Sequence, residues 1–325
     1  MQAVLAVTVP FFALVLAGYL AARRHVLPES AIPGLNAFVL YFALPCMLLR
    51  FGMNTPLFDL LNPAVLGVYL AAAGIIVFFT VAVTLGERVH LKDAAFGALV
   101  AAFPNTGFMG VPLLVALMGP AAAGPVICIV LADLLVTSSL CIALAQAHGA
   151  AGQGSRAALK RALRGTLSNP LPWAIALGAV LSVTWLKLPG PLDTVVTMLA
   201  AAATPVALFT IGAVLWRAGQ HSPTQRSRQT RPMDYVPVAL IKLFLHPLLV
   251  FALAAGAREL GAPLSVFQIT VLTLAAALPS ASSVSLLAER YGADNGRIAR
   301  IIMTSTVLAF VSFSGLAGLF GVQAP

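Results

Sequence analysis

The chain has 325 residues, 60% of them hydrophobic and 9% charged, with 19 basic against 10 acidic residues and a mean hydropathy of +0.97. A soluble domain carries about 25% charged residues, so a chain this poor in charge cannot cover a soluble surface of its size. The basic excess does not point to nucleic acid either, because the basic residues form short clusters between apolar runs, the pattern that orients a membrane protein.

A helix needs about 20 apolar residues to cross the hydrocarbon core. Ten segments qualify, at about residues 3–22, 33–51, 63–85, 93–118, 121–147, 169–186, 191–217, 236–257, 264–288 and 298–320. The first has no basic residues before it and is followed by Arg23 and Arg24. It reads as a transmembrane helix with its N-terminus outside, not as a cleavable signal. The second holds Phe42-Ala43-Leu44-Pro45 and ends at Arg50, an interfacial anchor or a guide for anions.

The fourth span contains Phe103-Pro104-Asn105-Thr106-Gly107-Phe108-Met109-Gly110-Val111-Pro112. Each proline removes a backbone donor and each glycine adds freedom, so an ordinary helix breaks here. Pro104 lies about 11 residues into its span, near mid-membrane at about 1.5 Å per residue. The fifth span carries Asp133 in its interior. An intramembrane carboxylate is costly, which makes it a candidate carrier of a coupled proton or a tie between helices.

A linker at residues 148–168 is rich in Ala, Gly and Arg, and a polar, basic loop at 218–235 is expected to be disordered. The eighth span holds Lys242 and His246 four residues apart, on one helical face. Lys242 either snorkels to the cytoplasmic interface or acts inside. His246, just before Pro247, is placed to bond a freed carbonyl or to relay a proton. The ninth span contains Leu278-Pro279-Ser280-Ala281-Ser282-Ser283, a second interior break. Cys46, Cys128 and Cys141 lie in apolar runs without metal-ligand spacing and read as small buried hydrophobes. No metal, cofactor or catalytic residue is expected.

Loops after odd-numbered spans hold 15 of the basic residues, and loops after even-numbered spans only Lys187 and Arg258. The positive-inside rule then puts both termini outside, in the periplasm, and the basic loops in the cytoplasm. Pro10, Gly18 and Pro45 recur 160 residues later as Pro170, Gly178 and Pro205, while Pro104 and Pro279 are 175 apart. The chain thus reads as an all-α integral membrane protein of two five-helix repeats, residues 1–147 and 169–325. An odd span count makes the repeats inverted, the plan on which transporters build a site from two broken helices. Half-helix N-termini there present free N–H groups and a positive dipole end to an anion. Pro104, Asn105, Thr106 and Gly107 are the expected substrate contacts in the first break. Pro279, Ser280, Ser282 and Ser283 are their counterparts in the second, which lacks an equivalent asparagine. Asn105 leads, because an amide both donates to a carboxylate and accepts from a cation.

The stretch Asn105 to Pro112 resembles the fourth helix of the auxin efflux carrier family. Phe42-Ala43-Leu44-Pro45, Lys242-Leu243-Phe244-Leu245-His246-Pro247, Leu278-Pro279 and Glu289-Arg290-Tyr291-Gly292 also match its pattern. The resemblance covers essentially the whole chain, and the short central loop is similar to bacterial members. It implies the fold shared with bile acid–sodium symporters, with spans 1, 2, 6 and 7 as scaffold and spans 3–5 and 8–10 as a moving transport domain. It also implies transport of small carboxylates, auxin-like or malonate- and malate-like, by an elevator motion. The partners expected are such a carboxylate and the bilayer of the inner membrane, with no nucleic acid, and a second copy packed through the scaffold helices.

A carrier coupled to protons, with Asp133, His246 and Lys242 as coupling candidates, is the leading expectation, and sodium stays open. An anion channel or uniporter driven by membrane potential, or a sensor on the same fold, are the alternatives. An intramembrane enzyme or a primary pump is disfavoured, because no His-Glu-x-x-His pair, Gly-x-Ser-x-Gly elbow or P-loop is present.

Overall fold

The computed structural model describes residues 2–56, 60–147, 169–220 and 231–322. The linker at 148–168 and most of the loop at 218–235 lie outside the described residues. Among those described, the chain is helical, and twelve helices follow one another. They are α1 (Gln2–Arg23), α2 (Glu29–Asn54), α3 (Pro63–Thr84), α4 (Leu91–Ala102), α5 (Thr106–Met118) and α6 (Pro120–Gln146). In the second half come α7 (Pro170–Thr184), α8 (Gly190–Gln220), α9 (Pro232–Glu259), α10 (Val266–Ala276), α11 (Ser283–Arg290) and α12 (Asn295–Leu319). Seven of the helices, α1, α2, α3, α6, α8, α9 and α12, are long and apolar enough to cross a membrane.

Short polar side chains set where several helices begin. The Asn62 side chain accepts from the backbone N–H of Ala64 and Val65 at 3.0 and 3.1 Å, and Pro63 opens α3. Asn169 does the same for Leu171 ahead of α7, again with proline in first position. Ser265 and Gln268 form a reciprocal capping box at the start of α10. These caps satisfy N–H groups that a helix start leaves without partners.

Four long helical segments widen locally into a π-turn, at Val39–Ala43, Thr106–Gly110, Asp133–Thr137 and Ile241–Leu245. Three of them end two residues before a proline: Pro45, Pro112 and Pro247. Proline cannot donate to the carbonyl four residues back, and the ladder widens just ahead of each. π-turns are frequent at functional sites, and Asp133, Lys242 and Thr106 each lie in one.

Glycines bring four helices into backbone contact. A Cβ on Gly18 of α1 would strike the Phe209 carbonyl of α8, and one on Gly212 of α8 would strike the Val15 carbonyl of α1. In the other pair, Gly178 of α7 faces the Leu49 carbonyl of α2, and Gly52 of α2 faces the Ile175 carbonyl of α7. Every residue of the first pair maps onto the second by a shift of 160 with the roles of the halves exchanged: 18 to 178, 49 to 209, 52 to 212 and 15 to 175. Small residues at such crossings let helices approach where lipid offers no hydrophobic drive to associate.

Candidate functional site

The two proline segments meet. Between α4 and α5 the chain is non-helical at 103–105, and between α10 and α11 it is non-helical at 278–282. Pro104 and Ser280 form an antiparallel bridge. Asn105 N–H donates to the Pro279 carbonyl at 2.8 Å, and Ala281 N–H donates to the Phe103 carbonyl at 3.0 Å. Each break thus supplies part of what the other lost.

The rest of the backbone accounting is met by side chains. Val100 would normally bond the N–H of residue 104, but proline has none, and Ser280 Oγ donates to that carbonyl instead at 2.8 Å. The Ser280 N–H, which a continuous helix would give to Ala276, goes to Ser305 Oγ at 3.2 Å. Lys242 Nζ takes its place on the Ala276 carbonyl at 2.6 Å. In the first half Thr106 N–H turns to the Pro104 carbonyl at 2.8 Å, and Tyr69 OH approaches the Ala102 carbonyl left behind, at 3.4 Å. A tyrosine from α3 and a lysine from α9 therefore serve the same purpose at the ends of α4 and α10.

Those two side chains belong to one buried polar group. Tyr69 OH donates toward Asp133, at 3.0 and 2.9 Å from its two carboxyl oxygens, and Thr137 Oγ1 donates to Oδ1 at 3.1 Å. Lys242 Nζ lies 3.2 Å from His246 Nδ1. The His246 and Tyr69 rings are 5.9 Å apart. Asp133, Lys242, His246 and Tyr69 are all fully buried. His246 Nε2 is buried without a partner among the described residues.

Among the predicted contacts, Asn105 and Thr106 are buried, at 3% and 1% exposure, while Gly107 is half-buried with open space where a Cβ would project. The Asn105 side chain makes no hydrogen bond among the described residues, so its amide is available to a ligand. The Thr106 hydroxyl turns to its own Pro104 carbonyl at 3.5 Å. Pro104 and Pro279 shape the crossing, and the carbonyls of Phe103 and Pro279 accept the bonds that hold it. Ser280, with its hydroxyl donor on Val100, is part of the framework. Ser282 precedes α11 without capping it and Ser283 opens that helix.

Lys242 does not snorkel; its ammonium points inward to Ala276. His246 bonds Lys242 in place of a freed carbonyl. Arg50 bonds Thr197 Oγ1 on α8, so it ties α2 to α8. An apolar cavity of about 620 Å³ lies between α6, α7 and Leu60 and contains none of the predicted site residues.

Two participants went unnoticed in the sequence. Tyr69 sits in an apolar run, and a hydroxyl at membrane depth was its only signal. Arg297 counted as a loop charge, yet it is 2% exposed. It donates from Nε to the Asp234 carbonyl and from Nη1 to the Asp93 carbonyl, both at 2.8 Å, joining the first turns of α4, α9 and α12. Asp294, capping its N–H at 3.0 Å, was the available cue.

A family model described as membrane transport protein matches residues 3–316. A Rhizobium meliloti (strain 1021) protein named "Putative malonate transporter" is 26% identical over 322 residues, 97% of this chain and 95% of that protein. "Uncharacterized transporter YfdV" of Escherichia coli (strain K12) is 24% identical over 313 residues, 93% of this chain and 92% of its own. An "Uncharacterized transporter" of Methanothermobacter thermautotrophicus is 29% identical over 302 residues, 92% of each chain.

Proposed function

The chain belongs to the membrane transport protein family, the auxin efflux carriers whose motifs it resembles, and from that premise we propose that it is a secondary carrier of small organic anions. The substrate class is mono- or dicarboxylates, moved by alternating access of the elevator type, and the protein acts as a permease and not as an enzyme. It works in the inner membrane as ten spans in two inverted repeats. In this reading α4–α5 and α10–α11 are two broken spans that cross at mid-membrane, and α7 completes the ten. Spans 1, 2, 6 and 7 (α1, α2, α7 and α8) form the scaffold, and the remaining helices move. The exchange of glycine contacts at a shift of 160 residues supports the inverted repeat, since a two-fold relation swaps partners in that way. The loop charge split supports periplasmic termini and a cytoplasmic linker.

The observation that carries the reading is the crossing itself: two broken helices bonded to each other, with the free amide of Asn105 and the open space at Gly107 beside them. Backbone N–H groups at the start of α5 have no helical partner and face an anion favourably. Asn105, Thr106 and Gly107 on one side, and Ser282 and Ser283 on the other, form the substrate site. A proton is the coupling ion, carried first by Asp133, with Lys242 and His246 as the groups that respond to it. Sodium is the alternative ion, and a second copy docks through the scaffold.

The test is uptake of labelled small carboxylates into proteoliposomes. Asn105→Ala should lower uptake at least about ten-fold, the loss expected for a hydrogen bond to a charged ligand, with melting temperature unchanged. Near-normal uptake by the folded variant would move the site elsewhere. Stoichiometric counterflow by the unaltered protein should also appear, which a channel cannot produce.

A further inference from the structure

We infer that Ala281 is a specificity-determining residue of this site, and that the site takes an anion with a single carboxylate whose uncharged remainder lies on the Ala281 side. The inference rests on the carrier reading above. Its ground is the pairing of the two breaks. The bond from Asn105 N–H to the Pro279 carbonyl becomes, when the halves are exchanged, the bond from Ala281 N–H to the Phe103 carbonyl. Asn105 and Ala281 are 176 residues apart, and so are Phe103 and Pro279. Aligning Pro104 with Pro279 would set Ser280 opposite Asn105. The backbone pairing instead makes Ala281 the mirror position.

The two mirror residues are equally enclosed, at 3% and 4% exposure, but unequal in chemistry. Asn105 offers two N–H donors and an oxygen, and Ala281 offers a methyl group. Two of the polar side chains near the second break are engaged elsewhere. Ser280 Oγ donates to the Val100 carbonyl, and Lys242 Nζ is held by the Ala276 carbonyl and His246. The Ser282 and Ser283 hydroxyls remain beside the methyl, each with one donor. A carboxylate brought to this face meets single-donor hydroxyls in place of the paired donors of the Asn105 amide, and a poorly compensated buried charge is costly. An alkyl end carries no such penalty. Discrimination by leaving a charged competitor without a partner is a common source of specificity.

Butyrate and succinate share a four-carbon skeleton and differ in the second carboxylate, so they isolate this face. Binding is read as the rise in melting temperature of the purified protein in nanodiscs with each acid. The unaltered protein should bind butyrate at least about ten-fold more tightly than succinate, in line with the worth of a charged hydrogen bond. Ala281→Asn should shift the butyrate-to-succinate ratio toward succinate by about ten-fold, and Ala281→Ser should shift it the same way by less. The serine variant serves if asparagine prevents folding. Equal or tighter binding of succinate by the unaltered protein, binding of neither acid, or an unchanged ratio in a folded variant would overturn the inference. Asn105→Ala separates the two levels. If it leaves butyrate affinity intact, the site itself is misplaced; if it weakens butyrate while Ala281→Asn changes nothing, only the role of Ala281 falls.

Discussion

Pro104 removes one backbone donor, and a hydroxyl from the other half of the chain replaces it. The Val100 carbonyl has no access to bulk water, so taking the Ser280 hydroxyl away leaves it unsatisfied. Ser280→Ala should cost about 1–3 kcal/mol of stability, seen as a lower melting temperature in detergent, and an unchanged melt would show that another donor fills the gap. The sequence marked Ser280 as a ligand contact because it directly follows the interior break at Pro279. That it repairs a helix depended on which strand of chain crosses Val100, and residue spacing does not carry that. Asp133 was legible as a lone intramembrane carboxylate, but its partners were not. Tyr69 reaches it from another helix, and nothing local distinguishes Tyr69 from the apolar run around it. With Asp133 as the proton carrier, uptake driven by an imposed pH gradient should vanish in Asp133→Asn. Uptake that follows voltage alone, or needs sodium at fixed pH, would remove Asp133 from the mechanism.

At the level of elements, proline and glycine chemistry announced both breaks, because a missing N–H is a property of the residue type. The π-turns were less visible. Pro45, Pro112 and Pro247 signalled disturbance but not its form, and the turn at Asp133–Thr137 has no proline to signal it. Gly18 and Gly178 were seen as repeat landmarks, while Gly52 and Gly212, at the same spacing, were passed over. Their importance lies in helix crossings, which appear only when α1 meets α8 and α2 meets α7. Gly18→Leu should therefore force α1 from α8 and cost about 3 kcal/mol or more. Gly74→Leu, on α3 with open space around it, should leave the melting temperature nearly unchanged. Equal effects of the two would mean that the α1–α8 contact is loose in the membrane.

For the whole molecule, composition alone identified a membrane protein, and loop charge gave a direction that labelling can check. In a cysteine-free background, single cysteines at the exposed positions Glu87 and Leu186 should react from opposite sides of intact cells, Leu186 from outside. Labelling of both by an impermeant reagent would reverse or dissolve the orientation.

The glycine crossings also bear on how the protein is made. α1 rests on α8 and α2 on α7, so the first helices to leave the ribosome meet these partners only after residues beyond 170 have followed. Until then their bare glycine faces lie against lipid, a waiting state of the kind that quality-control proteases recognise. The order of synthesis therefore sets a vulnerable interval, and a chain that stops after its first half should be short-lived. The same interlock means that continuity of the chain is not what holds the halves together. Two fragments, divided near residue 157 and produced in one cell, should rescue one another from degradation, and either produced alone should not persist.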